Sequence, residues 1–247
     1  MIHKKVGNSV LLLAISIGIP SLLAQVIEPK HSAEPSRGYY LTSQALVITS
    51  IIPSAPEQES ATTKDELAEL HRIQTERTPK QVKAAQADDA EEDIFVFRSV
   101  MGEGFRQDQL PLTTALSKHV HGDESFISLP LKTRFRRPRP YQWDKSMNAV
   151  CKLSEAPNAY PSGHAISGYL EAFTLIAMFP EKSNAIMARA DEYAHNRLVC
   201  GVHYPSDLAA SRLVASAAFG YMLANPTFEA DLTAARTEIR RQLGMTE

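Results

Sequence analysis

Cysteine is scarce in this chain of 247 residues, and Cys151 and Cys200 are the only two. A single pair predicts one disulfide if the protein is exported, whereas two buried free thiols are the alternative for a protein that stays reduced. Cys200 lies within the segment Arg197–His203. A bridge would therefore tie the residues before Pro161 to that segment.

Long apolar runs are absent after residue 24. Gly163–Phe179 is apolar but short, and it contains Glu171. The run Val10–Ala24 follows two lysines and resembles a secretory signal peptide, which predicts residues 1–24 as the signal with cleavage after Ala24. An uncleaved anchor is the alternative, but the run falls short of the roughly 18 apolar residues that a spanning helix needs. We expect a periplasmic or secreted protein with no stable membrane span after processing.

A strong excess of either charge is absent as well. The chain has 26 Lys and Arg against 28 Asp and Glu, a net charge of −2. Removal of residues 1–24 takes away two lysines and no acid, which changes −2 to −4. A mildly acidic mature protein is not typical of polyanion binders, so we predict no nucleic-acid-binding role.

Strand patterns and internal repeats are scarce, and helical periodicity dominates, so the sequence predicts an all-α fold. Residues 25–59 carry four prolines and are predicted as an extended arm whose apolar patch Val47–Ile52 packs on the domain. Residues 60–247 are predicted as one compact helical domain with its active site at helix ends. The predicted helices follow caps at Thr62 or Thr63 and at Thr78, and include Glu92–Val100, Leu112–His119, Ala165–Phe179, Glu181–Arg197, Leu208–Ala224 and Thr227–Leu243.

The segment Arg197–Asp207 combines an arginine, a histidine and an aspartate in the spacing R-x5-H-x3-D. Helical periodicity places Arg197 on the inward face of its helix, where a guanidinium is costly unless it meets an anion. His203 follows in a turn, and Asp207 lies in the first turn of the next helix. This order is typical of an imidazole oriented by a carboxylate. Alternatively, Arg197 pairs with an internal acid and Asp207 only caps its helix.

The most basic stretch runs from Lys132 to Pro140. Pro138 and Pro140 exclude a regular helix and indicate an extended path, which can direct Lys132 and Arg139 towards one point. A compact ammonium and a planar guanidinium together suit a phosphate group. A solvated basic patch on the surface is the alternative.

A third motif, Pro161-Ser162-Gly163-His164, begins an almost wholly apolar helix. Ser162 is a natural N-cap, and Gly163 leaves the backbone N–H groups of the first turn uncovered. Helix N-termini bind phosphate through such donors and through the helix dipole. A cap followed by a half-exposed histidine is the alternative.

Together, the three motifs resemble those of the phosphatidic acid phosphatase type 2 superfamily, and within it the bacterial class A non-specific acid phosphatases. They are K-x6-R-P (Lys132 to Pro140), P-S-G-H (Pro161 to His164) and R-x5-H-x3-D (Arg197 to Asp207), and the resemblance extends over about Arg77 to Asn225. One position departs from the family pattern, because Asn196 stands where serine is usual before the arginine.

The resemblance implies roles for eight residues. His203 would be the nucleophile that forms a phosphohistidine, Asp207 would hold its imidazole in the reactive tautomer, and His164 would be the general acid and later the base that activates water. The groups implied to bind the phosphoryl oxygens are Lys132, Arg139, Ser162, Gly163 and Arg197. Unperturbed imidazole titrates near pH ~6.5, so mildly acidic conditions suit one neutral and one protonated histidine.

The scheme needs neither a metal nor another cofactor. His119 and His121 are not accompanied by a cluster with ligand spacing, and we predict both, with His195, to be surface or packing residues. The expected substrates are small phosphomonoesters, with vanadate and phosphate as inhibitors. The resemblance also allows a homo-oligomer, because such assemblies are frequent in the family.

Three other functions compete with a secreted acid phosphatase. A lipid-phosphate phosphatase has the same motifs but normally several membrane spans. A vanadate-dependent haloperoxidase also shares them, although such enzymes are usually much longer. A non-enzymatic polyanion-binding helical protein would use Arg134–Arg139, but the negative net charge and the two histidines argue against it.

Overall fold

The computed structural model describes residues 1–2 and 38–245 of the chain. Apart from residues 1–2, the predicted signal peptide lies outside this part, as does the beginning of the predicted arm. Every regular element in the described part is a helix, which confirms the predicted all-α class. Across the same residues, no helix combines the length and the apolar character that a membrane crossing requires.

The described residues contain seven helices of 11 residues or more. They are α1 (Ala61–Glu76), α2 (Pro79–Asp89), α3 (Pro111–Phe135), α4 (Gly163–Met178), α5 (Ser183–Val199), α6 (Pro205–Leu223) and α7 (Pro226–Gln242). Short α or 3-10 turns lie at Ser43–Val47, Ile48–Ile51, Ile94–Phe97, Arg98–Met101, Gln107–Gln109, Pro140–Trp143 and Pro180–Lys182.

Helix α4 is the centre of the packing. Its sequence is apolar on nearly every face, and it is surrounded by α3, α5 and α6. Gly168 permits the close approach of α5, because a Cβ at this position would lie 2.6 Å from the Tyr193 ring. The helix that carries Ser162, Gly163 and His164 at its beginning is therefore fixed from several sides.

Helix α3 runs further than its predicted bounds. Its N-terminal half is predicted as Leu112–His119, but the helix continues through Gly122 and Pro130 to Phe135. Buried polar side chains interrupt the apolar pattern on this helix. One of them, Asp123, accepts hydrogen bonds from the N–H groups of Tyr40 and Leu41 at 2.8 and 3.1 Å. Tertiary contacts thus explain a polar residue that local periodicity does not.

The end of α3 sets the path of the basic stretch. Arg136 adopts a left-handed conformation (φ 45°) and terminates the helix. Lys132 therefore lies on the last helical turn rather than on an extended segment. The chain is extended at Arg139, and Pro140 begins a short helical turn. Arg137 and Arg139 are both buried after this reversal.

Only part of the apolar patch Val47–Ile52 packs on the domain as predicted. Ile48 and Ile52 are buried, whereas Val47 and Ile51 are exposed. Helix α1 begins two or three residues earlier than predicted, because Ser60 rather than Thr62 or Thr63 accepts the capping hydrogen bond.

Candidate active site

The tight connection between α5 and α6 positions His203 and Asp207. Gly201 has a positive φ of 71°, and Pro205 begins α6 directly after the turn. The Nδ1 atom of His203 lies 3.2 Å from Oδ2 of Asp207, and both side chains are buried. The same carboxylate oxygen accepts a hydrogen bond from the Tyr204 N–H at 2.8 Å. Asp207 therefore caps its helix and also orients the imidazole.

Arg137 holds the other oxygen of Asp207. Its Nη1 donates to Asp207 Oδ1 and its Nη2 to Glu66 Oε2, each at 2.8 Å. The guanidinium also lies over the Tyr204 ring, 3.9 Å from the centroid. Burial raises the pKa of Asp207 to about 7, and the charge of Arg137 opposes this rise. Arg137 thus helps to keep Asp207 ionised.

The second ring nitrogen of His203 is turned towards the cations. Arg139 Nη1 lies 3.2 Å from Nε2 of His203. Burial lowers the pKa of the imidazole well below its ordinary value, and the nearby charges of Arg139 and Arg197 lower it further. The contacts assign a neutral ring that donates Nδ1–H to Asp207 and keeps a lone pair on Nε2. A neutral Nε2 is the form that can attack phosphorus.

The predicted cationic pair converges beside this nitrogen. Lys132 Nζ donates to the carbonyl oxygens of Pro161 and Asn158 at 2.6 and 3.1 Å. Arg139 Nε donates to Asn158 Oδ1 at 2.8 Å. Burial lowers the pKa of Lys132 to about 8, which still leaves it protonated at acid and neutral pH. Because Arg137 and Arg139 are buried, this part of the basic stretch is not a solvated surface patch.

The beginning of α4 forms another wall. Ser162 is buried, and its Oγ accepts a hydrogen bond from the Ala165 N–H at 3.4 Å, as expected of an N-cap. Gly163 borders the cavity, where an added Cβ would lie 2.7 Å from Oε1 of Glu124. A side chain at position 163 would therefore close the space between α3 and α4.

His164 meets an acidic segment that is distant in sequence. Its Nε2 lies 3.2 Å from Glu92 Oε1 and 3.3 Å from the Asp89 carbonyl oxygen. Burial lowers the pKa of His164 to about 3, and the charge of Arg197 contributes to the same direction. These surroundings favour the neutral form of His164.

Arg197 pairs with an internal acid, which is one of the two interpretations that the sequence allowed for this residue. Its Nη1 donates to Asp89 Oδ1 at 2.6 Å. Burial favours the neutral carboxyl, but hydrogen bonds from the Lys152 N–H and from Arg197 keep the pKa of Asp89 below its ordinary value. The neighbouring Asn196, which departs from the family pattern, donates to Asp88 at 2.7 Å. Asn196 thus supports the acidic end of α2.

These groups surround a cavity of about 340 Å³. Five of the eight residues of the predicted site line it, namely Lys132, Arg139, Gly163, His164 and His203. The three that lie behind them are Ser162, Arg197 and Asp207. Asp89 and the two cysteines form a cluster with metal-ligand spacing in the described part of the chain, but both sulfurs belong to the cysteine pair.

Sequence reasoning missed the acidic residues and one arginine. They lie on separate parts of the chain: Asp89 on α2, Glu92 in the following turn, Glu124 on α3 and Arg137 in the basic stretch. Only the tertiary fold brings them to the histidines. The buried position predicted for Arg197 required an anion, and this signal alone pointed to a partner such as Asp89. No comparable pattern marks Glu92 or Glu124.

The two cysteines lie at disulfide distance, with Cα atoms 5.3 Å apart. The Val150 N–H also donates to the Cys200 carbonyl at 3.0 Å, so the two segments are joined by backbone as well. This junction lies directly before the turn that carries His203.

Comparison with known proteins confirms the resemblance that the motifs predict. The profile described as PAP2 superfamily matches residues 112–229, which include all three motifs. A non-specific acid phosphatase of Providencia stuartii is 26% identical over 220 residues, which cover 85% of this chain and 88% of that protein. A non-specific acid phosphatase of Salmonella typhimurium is 26% identical over 226 residues, covering 87% and 86%.

A solved structure shares the fold. It is that of a transmembrane PAP2-type phosphatidylglycerolphosphate phosphatase from Bacillus subtilis, with a TM-score of 0.50 and 14% identity. The match covers 73% of this chain and 91% of that one.

Proposed function

We propose that this chain, with its PAP2 superfamily region and its likeness to bacterial acid phosphatases, hydrolyses a broad range of small phosphomonoesters through a phosphohistidine at His203. The observation that carries the proposal is the hydrogen bonding of His203. Its Nδ1 faces the buried carboxylate of Asp207, and its Nε2 faces Arg139 in a cavity that also contains Lys132 and His164.

In the first half-reaction, the lone pair of His203 Nε2 attacks phosphorus. His164 first takes the proton that the phosphate group of the ester carries. An N–P bond then forms while the P–O bond to the alcohol breaks, and the leaving oxygen takes this proton from His164. Asp207 stabilises the ring, which becomes positively charged, by accepting its Nδ1–H. Lys132 and Arg139 now donate their hydrogen bonds to the phosphoryl oxygens, which take the place of the protein oxygens that accept them without substrate.

In the second half-reaction, water attacks the phosphorus of the phosphohistidine. The neutral His164 takes a proton from this water, the N–P bond breaks, and the electron pair returns to Nε2 of His203. Phosphate leaves, and His203 is neutral again with Nδ1–H towards Asp207. Positioned cations and a helix N-terminus supply the charge stabilisation that phosphoryl transfer requires, so the scheme has no step that needs a metal.

Export belongs to the same proposal. The apolar run in residues 1–24 and the cysteine pair are both typical of periplasmic or secreted proteins. The physiological substrate would then be a small phosphate ester that is available outside the cytoplasm.

A colorimetric assay with 4-nitrophenyl phosphate in EDTA tests the proposal. We expect hydrolysis that is unaffected by EDTA and competitively inhibited by vanadate, because a trigonal-bipyramidal oxyanion on His203 resembles the transition state. Loss of activity on chelation, restored by a divalent ion, would contradict the metal-free scheme. Vanadate inhibition that does not weaken as substrate rises would argue against a shared site.

Two further assays separate the competing functions. Bromide oxidation with vanadate and peroxide, without phosphatase activity, would indicate a haloperoxidase. Hydrolysis of phosphatidic acid in micelles, with none of the soluble esters, would indicate a lipid-phosphate phosphatase.

A further inference from the structure

One carboxylate at the cavity has no evident structural role. Glu124 projects from α3, is only 6% exposed, and lines the cavity between Lys132 and Gly163. Its Oε2 accepts a hydrogen bond from Ser125 Oγ at 3.1 Å, but its buried Oε1 has no hydrogen-bond partner among the described residues. A buried carboxylate oxygen without a partner is costly, which indicates a group that is completed by a ligand.

A second carboxylate faces the same space. Glu92 also lines the cavity, and its Oε1 lies 3.2 Å from Nε2 of His164. Burial raises the pKa of Glu92; the nearby His121 opposes this rise, and the negative charge of Glu124 adds to it. Two like charges near one another in a half-buried site would both be stabilised by a cation.

Among the described residues, no lysine or arginine lies within ion-pair distance of either carboxylate. Lys132 donates to two carbonyl oxygens, and Arg139 donates to Asn158 and Val202. Arg197 is paired with Asp89. The charge of Lys132 reaches Glu124, and that of Arg197 reaches Glu92, only from beyond this distance. No cation of the described residues therefore completes the bonding of the Glu124 carboxylate.

The two histidines define which end of the substrate meets Glu92 and Glu124. In phosphoryl transfer, the attacking and leaving groups lie roughly in line on opposite sides of phosphorus. His203 attacks on one side, so the leaving oxygen lies on the side of His164. Because Glu92 contacts the proton-donating nitrogen of His164, the carbon chain of the leaving alcohol must pass this carboxylate. This placement of the leaving alcohol rests on the proposed function.

We infer that Glu92 and Glu124 form a leaving-group subsite that favours phosphomonoesters of cationic alcohols, such as aminoalkyl phosphates, over those of anionic alcohols. The ammonium group would satisfy the unpartnered oxygen of Glu124 and reduce its repulsion with Glu92. An anionic leaving group would add a third negative charge to the same space.

Space for a larger alcohol continues beyond Glu92. This residue also borders a neighbouring cavity of about 330 Å³, whose walls include Asp93, Phe95, Lys118 and His121. A leaving group longer than two carbons can extend along this mixed wall. The charge preference therefore depends on Glu92 and Glu124 rather than on the second cavity.

Three esters with similar frames test the inference. Phosphoethanolamine, 2-hydroxyethyl phosphate and phosphoglycolate place a cationic, a neutral and an anionic group close to the phosphorylated oxygen. We expect kcat/KM to fall in that order, with a cation-to-anion ratio of roughly 10–100-fold. The three alcohols also differ in intrinsic reactivity, so the decisive quantity is the change in this ratio between variants.

Glu124→Gln keeps the shape of the side chain and removes its charge. We expect the cation-to-anion ratio to fall by roughly 3–10-fold, with a similar fall in Glu92→Gln. Glu103→Gln makes the same change at an exposed position away from the cavity and should leave the ratio unchanged. If Glu124→Gln does not fold, as judged by circular dichroism, Glu92→Gln carries the test.

Two results would overturn the inference while leaving the proposed function intact. One is a ratio that stays the same in both glutamine variants while 4-nitrophenyl phosphate is hydrolysed. The other is an equal change in all three esters together with the inhibition constant of phosphate, which would place the carboxylates at the phosphoryl position. If the wild-type protein hydrolyses no phosphate ester at all, the proposed function fails first and the inference fails with it.

Discussion

Burial and the neighbouring cations favour the neutral form of both histidines of the site, although the proposed reaction needs one of them protonated. Burial lowers the pKa of His203. Its neutral, nucleophilic form therefore persists at pH values below the ordinary pKa of imidazole. Burial and the charge of Arg197 lower the pKa of His164 to about 3, although Asp89 opposes this shift. The proton for the leaving group must therefore arrive with the substrate, whose phosphate carries one below its second pKa of about 6.

This proton source predicts the pH profile. We expect kcat/KM to fall as pH rises through the second pKa of the substrate, by about tenfold per unit at high pH. An aryl phosphate has a lower second pKa than an alkyl phosphate, so its alkaline limb should lie at lower pH. Profiles for the two esters at constant ionic strength provide the measurement. A limb at the same pH for both would show that the proton is already on an enzyme group before the ester binds.

Arg137 is the residue on which the ionisation of Asp207 depends. Arg137→Met leaves two buried carboxylates, Asp207 and Glu66, without their cation, and we expect a loss of about 3–5 kcal/mol in the free energy of unfolding. The pKa of Asp207 should rise above about 7, so remaining activity should decline towards acid pH.

Urea unfolding measures this loss, with Arg134→Met as the matched control. Arg134 is exposed and donates one hydrogen bond to the Thr49 carbonyl, so its replacement should cost less than about 1 kcal/mol. Equal losses in the two variants would contradict the special role of Arg137.

At the scale of elements, the site is a meeting of helix ends. The N-termini of α4 and α6, the C-terminus of α5 and the reversal after α3 all face one cavity. Helices fix these positions because their other turns are buried, while the short connections carry the reactive groups. The junction between Cys151 and Cys200 joins two such connections.

A disulfide at this junction is expected in the exported protein. A bridge between positions 49 residues apart would stabilise the fold by roughly 3–5 kcal/mol, if the native geometry is unstrained. Thiol titration of the denatured, unreduced protein should detect no free cysteine, and reduction should lower the melting temperature. Two titratable thiols before reduction would contradict this expectation.

The sequence predicted helices well where one face or all faces were apolar, as in α4, α6 and α7. It predicted α3 poorly because Asp123 and Glu124 are buried for tertiary reasons that periodicity does not reveal. The same distinction applies to the site. Motifs identify the residues proposed to bind phosphate, whereas the acids that hold Arg197 and border His164 lie more than 70 positions away and become visible only in the fold.

At the scale of the whole molecule, charge is sorted along the reaction axis. In the proposed reaction, Lys132 and Arg139 bind the phosphoryl oxygens and Asp207 lies behind the nucleophile, whereas Glu92 borders His164 on the side of the leaving group. This order gives each end of a phosphomonoester a different environment. The direction of the axis depends on the assignment of His203 as nucleophile and His164 as acid, which makes that assignment the central claim.

Rapid mixing with a ³²P-labelled aryl phosphate, followed by an alkaline quench that preserves phosphohistidine, tests this claim most directly. We expect label on the wild-type protein and on His164→Ala, because an aryl oxide leaves without much protonation while the loss of the base slows hydrolysis of the intermediate. His203→Ala should carry no label and hydrolyse no ester. Label that accumulates on His203→Ala and is absent from His164→Ala would reverse the two roles and contradict the account.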